Sequence, residues 1–298
     1  MRTHCILCPV DFSDPSRRAL HYAAALASRE GAVLYVLYVV PAAIPLPVPI
    51  LMLAARPALG DVQAGAAEAL DAFVARAALP RRPIAIVREG SPVDAILACA
   101  AELAADLIVL GSHGRDGLGH LLFGSTAERV LHKAPCPTLV VPLHAEAPAS
   151  ADGVRFTRLV CAVDFSPAST RAFGLALSMA QDHGADLTVL HVVEAVAEDE
   201  LDDAPPAAVR ARVDALTRTA RRQLHDAVPR DAHARCPIHE VVRYGRAAHA
   251  IPREAVERDA DLIVLGAHGH RGLGLLGIGS TTHAVVCRAT CPVLTTRP

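Results

Sequence analysis

Net charge and long apolar runs are what this sequence has least of. Its 298 residues carry 29 Lys and Arg against 31 Asp and Glu, a formal net charge of −2. Binding to nucleic acid without regard to sequence needs clustered cations that displace counterions from phosphates, so nucleic acid is not an expected partner. The longest apolar stretch, Ile44 to Ala55, is broken by Pro45, Pro47 and Pro49. It falls far short of the roughly 20 residues that cross a bilayer, and no membrane partner is expected either. The opening MRTHCILCPVDFSD holds no apolar stretch long enough for a secretory leader. Without one, eight cysteines read as reduced, small core residues instead of a disulfide framework, and a cytoplasmic location is expected. There is no G-x-x-x-x-G-K-[ST], hence no P-loop lysine. The fifteen histidines show no close His/Cys spacing of a closed zinc site, and no metal ligand can be named. Cys5-x-x-Cys8 falls on a predicted strand, away from the helix N-terminus that would lower a thiol pKa.

What is present is apolar and periodic. Hydrophobic residues make up 52% of the chain and charged ones 20%, which excludes disorder. The length is about twice that of a common domain, and the second half restates the first. CPVDFS at Cys8 to Ser13 returns as CAVDFS at Cys161 to Ser166, LYVLYVV at Leu34 to Val40 as LTVLHVV at Leu187 to Val193, and VREG at Val87 to Gly90 as VRYG at Val242 to Gly245. ADLIVLGSHG at Ala105 to Gly114 returns as ADLIVLGAHG at Ala260 to Gly269, and Cys136-Pro137 as Cys291-Pro292. The offset moves from 153 to 155, so one two-residue insertion separates the copies.

In each copy short Val, Ile and Leu runs alternate with alanine-rich segments of helical spacing, giving β-α-β-α-β-α-β-α-β. The first copy's strands are expected near Cys5 to Val10, Val33 to Val40, Ile84 to Arg88, Leu107 to Leu110 and Thr138 to Val141. All read as apolar on both faces, as parallel strands under two helical layers should. Right-handed crossovers then make each copy a doubly wound, Rossmann-like α/β domain. The domains are expected at 1–145 and 155–298, with the link inside Leu143 to Phe156. The Pro-rich stretch Pro41 to Pro57 has no close counterpart in the second copy, where Ala195 to Pro206 is acidic; packing is its plainest use. Pro252, inside a helical pattern, predicts a kink or a late start.

Ligands of such sheets bind beyond the carboxyl ends of the strands at the topological switch point, which directs attention to the loops after the first and fourth strands. The fourth-strand loop reads Gly111-Ser112-His113-Gly114, nine residues, then Gly124-Ser125-Thr126 opening a helix; the second copy has Gly266, His268, Gly269, Gly279, Ser280 and Thr281 in the same places. Glycines admit close backbone approach and free amides at a helix start favour an anion, so the pattern describes a phosphate cradle. Ser125 and Ser280 read equally as N-caps. Gly272 to Gly277 spells G-x-G-x-x-G, but it follows the fourth strand and its third glycine is Leu122 in the first copy, so it is a poor dinucleotide fingerprint. Asp11 and Asp164, ending the first strand of each copy, would face ribose hydroxyls or cap the helix that follows Phe-Ser.

The combination of VDFS after the first strand, G-x-x-G, nine residues, G-[ST], and a closing CP-V strand resembles the universal stress protein family, tandem type, over nearly the whole chain and twice. The resemblance implies a five-stranded parallel sheet of order 3-2-1-4-5 in each domain, of the adenine nucleotide alpha hydrolase-like kind. It also implies ATP, with Mg2+ as a companion for which the sequence names no ligand, bound by Pro9, Asp11, Val39, Leu110, Gly111, Gly114, Arg115, Gly124, Ser125 and Thr126; His113 and His268, in the same loops, read as phosphate contacts or equally as solvated loop histidines. The second site would comprise Asp164, Val192, Leu265, Gly266, Gly269, Gly279, Ser280 and Thr281. The copies depart at Pro9, which becomes Ala162, and at Arg115, which becomes His270. The resulting expectation is an ATP-binding stress-response factor with no evident general base; the rivals are a nucleotide-free interaction module of the same fold and a slow ATPase. Internal twofold repetition leaves open a homodimer or a pseudo-dimer within one chain, and protein partners are unnamed.

Overall fold

The computed structural model describes residues 3–41, 59–112, 123–143, 145, 154–194, 206–267 and 279–297. The Pro-rich segment after Pro41, the acidic segment 195–205, and His113, Gly114, Arg115, His268 and Gly269 lie outside the described residues. The described chain divides into two units, residues 3–112 with 124–154, and 155–297 together with Phe123.

The first unit runs β1 (Cys5–Val10), α1 (Asp14–Glu30), β2 (Val33–Pro41), α2 (Leu59–Arg76), β3 (Ile84–Gly90), α3 (Pro92–Glu102), β4 (Leu107–Gly111), α4 (Ser125–Lys133) and β5 (Thr138–Val141). All its strand pairs are parallel, in the order β3-β2-β1-β4-β5. The second unit repeats this as β6 (Arg158–Val163), α5 (Pro167–His183), β7 (Asp186–Val193), α6 (Pro206–Ala227), β8 (Ile238–Tyr244), α7 (Ala247–Glu257), β9 (Leu262–Gly266), α8 (Ser280–Arg288) and β10 (Val293–Thr296). Its order is β8-β7-β6-β9-β10, again all parallel. Each unit is thus a doubly wound sheet of order 3-2-1-4-5 with its switch point between the first and fourth strands.

Local chemistry explains the boundaries. Helix α1 starts on Ser13, whose hydroxyl accepts the Ser16 N–H, carries Pro15 in its first turn and ends on Gly31 at φ 70°, where a side chain would be strained. Helix α5 uses Ser166, Pro167 and Gly184 in the same roles. Small residues Ala19, Ala23 and Ala27 on the buried face of α1 let the helix lie close to the sheet. Beneath it Ile6, Leu7, Cys8, Val36, Leu37, Ile108 and Val109 have no solvent exposure, as central parallel strands require.

Two expectations are corrected. Strand β3 is not covered on both faces: it is the edge strand, mostly exposed or half-buried, with Ile84 at 49% exposure. Pro252 does not delay its helix, since α7 spans Ala247–Glu257, the positions that match Pro92–Glu102 at the offset of 155. Arg155 and Phe156 pack within the second unit: Phe156 is buried and stacked on His183, and Arg155 donates from Nε and Nη2 to the His183 carbonyl.

Candidate functional site

At the carboxyl end of β1 the chain makes a tight turn before α1. The Asp11 carboxylate accepts the Ser13 N–H at 3.0 Å and the Ser13 hydroxyl at 2.5 Å. Ser16 Oγ donates to the Ser13 carbonyl at 2.9 Å and accepts the Asp11 N–H at 3.4 Å. The second unit rebuilds the turn, with Asp164 Oδ1 accepting the Ser166 N–H at 3.0 Å and Ser169 Oγ donating to the Ser166 carbonyl at 3.1 Å. Serine, not aspartate, is therefore the helix cap in both units, and the carboxylate organises the turn one step earlier. The residue between them is forced into left-handed backbone, Phe12 at φ 67° and Phe165 at φ 63°. That conformation costs an L-residue about 1–2 kcal/mol, and it appears twice at one place because the flanking hydrogen bonds over-determine it. Each ring also finds a partner: Phe12 meets Tyr38 at 4.3 Å and Phe73 at 5.4 Å, and Phe165 meets His191 at 4.6 Å. Sequence reasoning missed this strained aromatic turn; its signal was the repetition of DFS itself.

The neighbouring strand β4 ends at Gly111, and the chain returns to the same strand end at Gly124, whose N–H donates to the Ser112 carbonyl at 2.9 Å. In the second unit the Gly279 N–H donates to the Ala267 carbonyl at 3.2 Å. Gly124 and Gly279 are the N-caps of α4 and α8 and offer no side-chain cap. Ser125 and Ser280, one residue later, are the first helical residues and are exposed, which corrects the reading of them as caps. With glycine at the cap, no cap side chain covers the first-turn amides, and that end of the helix suits an anion. Thr126 and Thr281 follow, half-buried.

Gly111 and Gly266 have a packing role. A Cβ on Gly111 would lie 2.9 Å from the carbonyl carbon and oxygen of Pro15, and one on Gly266 2.9 Å from the backbone of Ala168 and Ser169. These glycines let the first turn of α1 or α5 press onto the end of the fourth strand, which holds the aspartate turn beside the glycine loop. Val39, Leu110 and Leu265 are buried, whereas Pro9 and Val192 are half-buried near the ends of β1 and β7. The described site residues thus gather at the carboxyl ends of the first, second and fourth strands of each unit.

The cysteines offer no nucleophile there. All eight are free; burial pushes the thiols of Cys8 and Cys161 far up, and those of Cys136 and Cys291 up to about 12. Among the described residues no group of three His, Cys, Asp or Glu could hold a metal ion, and no helix is long and apolar enough to cross a membrane.

A tandem of parallel sheets, each with a strained Asp-Phe-Ser turn and a glycine-capped helix at its switch point, places the molecule in the Rossmann-like class. The chain belongs to the universal stress protein family, whose profile matches residues 3–142 and 155–297. It is 32% identical over 200 residues to a universal stress protein of Mycolicibacterium smegmatis, covering 66% of this chain and 64% of that one. It is 30% identical over 209 residues to a universal stress protein of Mycobacterium tuberculosis, covering 70% and 66%. The chain thus spans a little under two thirds of the length of these relatives. The crystal structure of a universal stress protein from Archaeoglobus fulgidus has the same fold, with a TM-score of 0.66 at 21% identity over 100% of this chain and 99% of that one.

Proposed function

We propose that each unit binds ATP in the crevice at its switch point and that the chain is a cytoplasmic, nucleotide-responsive stress factor. The observation that carries this reading is the glycine-capped helix N-terminus, present twice, at the end of the strand adjacent to Asp11 or Asp164. Anionic phosphates would sit on the first-turn amides of α4 and α8, with the Ser125 and Ser280 hydroxyls within the same turn. Asp11 and Asp164 would accept ribose hydroxyls, and Pro9, Val39 and Leu110, or Val192 and Leu265, would line the base side. His113, Gly114, Arg115, His268 and Gly269 complete the loop in sequence. Magnesium would travel with the phosphates and screen their charge.

The test is to denature purified protein that has received no nucleotide and to identify and quantify the released small molecule by mass spectrometry. Released ATP or ADP supports the reading. A Gly114→Trp/Gly269→Trp double variant should lose it while keeping its far-ultraviolet circular dichroism. If nothing is released, and added ATP with magnesium gives no thermal stabilisation, the chain is a nucleotide-free interaction module. Phosphate release above that of the double variant would instead indicate an ATPase.

A further inference from the structure

In the second unit two hydrogen bonds join the start of α8 to the end of β9. The Gly279 N–H donates to the Ala267 carbonyl at 3.2 Å, and the Thr282 hydroxyl donates to the Gly266 carbonyl at 3.0 Å, with the Ala267 carbonyl 3.5 Å away. Thr282 is 3% exposed and stands third in α8, in the turn whose amides are assigned above to phosphate. The backbone bond alone would fix one point and leave the turn free to pivot about it. The hydroxyl, three residues further on, supplies the second point that stops the pivot. Its acceptor belongs to Gly266, the residue whose missing Cβ lets α5 close on the strand. One glycine thus links the helix that follows the Asp164 turn to the helix that offers its N-terminus to an anion.

The first unit keeps the backbone bond, Gly124 N–H to the Ser112 carbonyl, but carries its hydroxyl on the other side of the joint. At the offset of 155, Ala127 stands in place of Thr282 and Ser112 in place of Ala267. All four residues are buried, Ser112 at 1%, Ala127 at 7%, Ala267 at 0% and Thr282 at 3% exposure. A hydroxyl out of water is costly unless it is bonded, so each unit placing one at this joint, from opposite sides, sets the joint apart from ordinary packing. From these observations we infer that Thr282 is a positioning residue for nucleotide in the second unit. It touches no ligand and acts through Gly266 and α8, holding strand end and helix start in one arrangement before phosphate arrives. The inference rests on the nucleotide reading given above. A helix start that is already held loses little freedom when the anion binds, and that cost is kept out of the affinity.

The experiment is photolabelling of nucleotide-stripped full-length protein with rising 2-azido-ATP in magnesium chloride, followed by peptide mapping, on the wild type, Thr282→Val, Thr282→Ala and Thr282→Ser. Mapping gives a half-saturation for each unit, so the first unit is the control within every sample. Thr282→Val and Thr282→Ala should raise the half-saturation of the second unit about fivefold, the effect of roughly one hydrogen bond, and leave the first unit unchanged. Thr282→Ser keeps the hydroxyl and should stay within about twofold of wild type in both units. Thr282→Ala installs the residue the first unit carries at the matching position, so it decides the matter even if Thr282→Val does not fold. An unchanged second unit in Thr282→Ala, a Thr282→Ser chain as weak as Thr282→Ala, an equal shift in both units, or labelling confined to the first unit overturns the inference while nucleotide binding stands. If excess unlabelled ATP abolishes labelling in neither unit of the wild type, the nucleotide reading itself falls.

Discussion

Replacing Gly111 with alanine should destabilise the first unit although the change adds one methyl group. The new Cβ would stand 2.9 Å from the Pro15 carbonyl carbon and oxygen and 3.0 Å from its Cβ. Carbon atoms at rest are about 3.5–4.0 Å apart, so the first turn of α1 has to retreat by about 0.5–1 Å. The obstacle is backbone in a helix whose Ala19, Leu20 and Ala23 are buried against the sheet, and it cannot swing away as a flexible side chain would. Overpacking of this kind costs about 2–3 kcal/mol, equivalent to a fall of about 5–10 °C in the Tm of a domain this size. Because Pro15 follows the cap Ser13 by two residues, the retreat also pulls on the Asp11 turn, and ATP affinity should fall with stability. The control is Gly174→Ala: Gly174 lies inside α5 with nothing within 4 Å of an added Cβ. There alanine should stabilise by about 0.5–1 kcal/mol through helix propensity alone. Urea denaturation gives both values, and hydrogen exchange of peptides covering α1 or α5 locates them. A Gly111→Ala protein within about 0.5 kcal/mol of wild type, with unchanged exchange in α1, would refute the close-approach argument.

Glu254 is 1% exposed and binds Arg243 Nε at 2.6 Å and Arg258 Nε at 3.0 Å. The arginines are 46% and 38% exposed and can rehydrate, so Glu254→Ala should cost about 2–3 kcal/mol in urea denaturation, below the range for a wholly buried pair; a loss under about 1 kcal/mol would count against the network. Ser13→Ala and Ser166→Ala should each cost about 1 kcal/mol, read the same way, and neutrality would mean that the Asp turn caps the helix by itself. Iodoacetamide at pH 8 should modify Cys8, Cys136, Cys161 and Cys291 only after unfolding, because burial disfavours their thiolates. The same shifts carry a sign: the raised thiols leave stability intact below the ordinary value of 9.0 and erode it as pH climbs toward about 12. A flat stability profile from pH 8 to 10.5 would contradict them.

The duplication made most of the architecture legible, since each strand was seen twice, and β1 and β5 begin and end where the apolar runs do. Burial of β3 was misread because Ile84-Ala85-Ile86-Val87 is as apolar as a central strand; its place at the edge follows from strand order, which no local window contains. The caps at Gly124 and Gly279 were displaced by one residue, since the first helical φ/ψ pair decides the cap and Ser next to Gly fits either register. The packing role of Gly111 and Gly266 is not legible in the sequence, because a glycine's neighbour across the fold is invisible there. Pro15 and Ala168, whose approach requires the glycines, lie some hundred residues away along the chain.

The chain contains no tryptophan and four tyrosines, of which Tyr22, Tyr35 and Tyr38 belong to the first unit and Tyr244 to the second. Tyr22 is buried, Tyr38 packs on Phe12 at the aspartate turn, and Tyr244 is 44% exposed at the end of β8. Tyrosine emission from the intact protein is therefore weighted toward the first unit, with Tyr244 the second unit's one contributor. In a Tyr244→Phe chain shifts in its intensity or lifetime report on the first unit without any label, while amide circular dichroism registers both halves together. One conservative substitution thus turns the duplicated fold into a chain whose tyrosines watch a single copy.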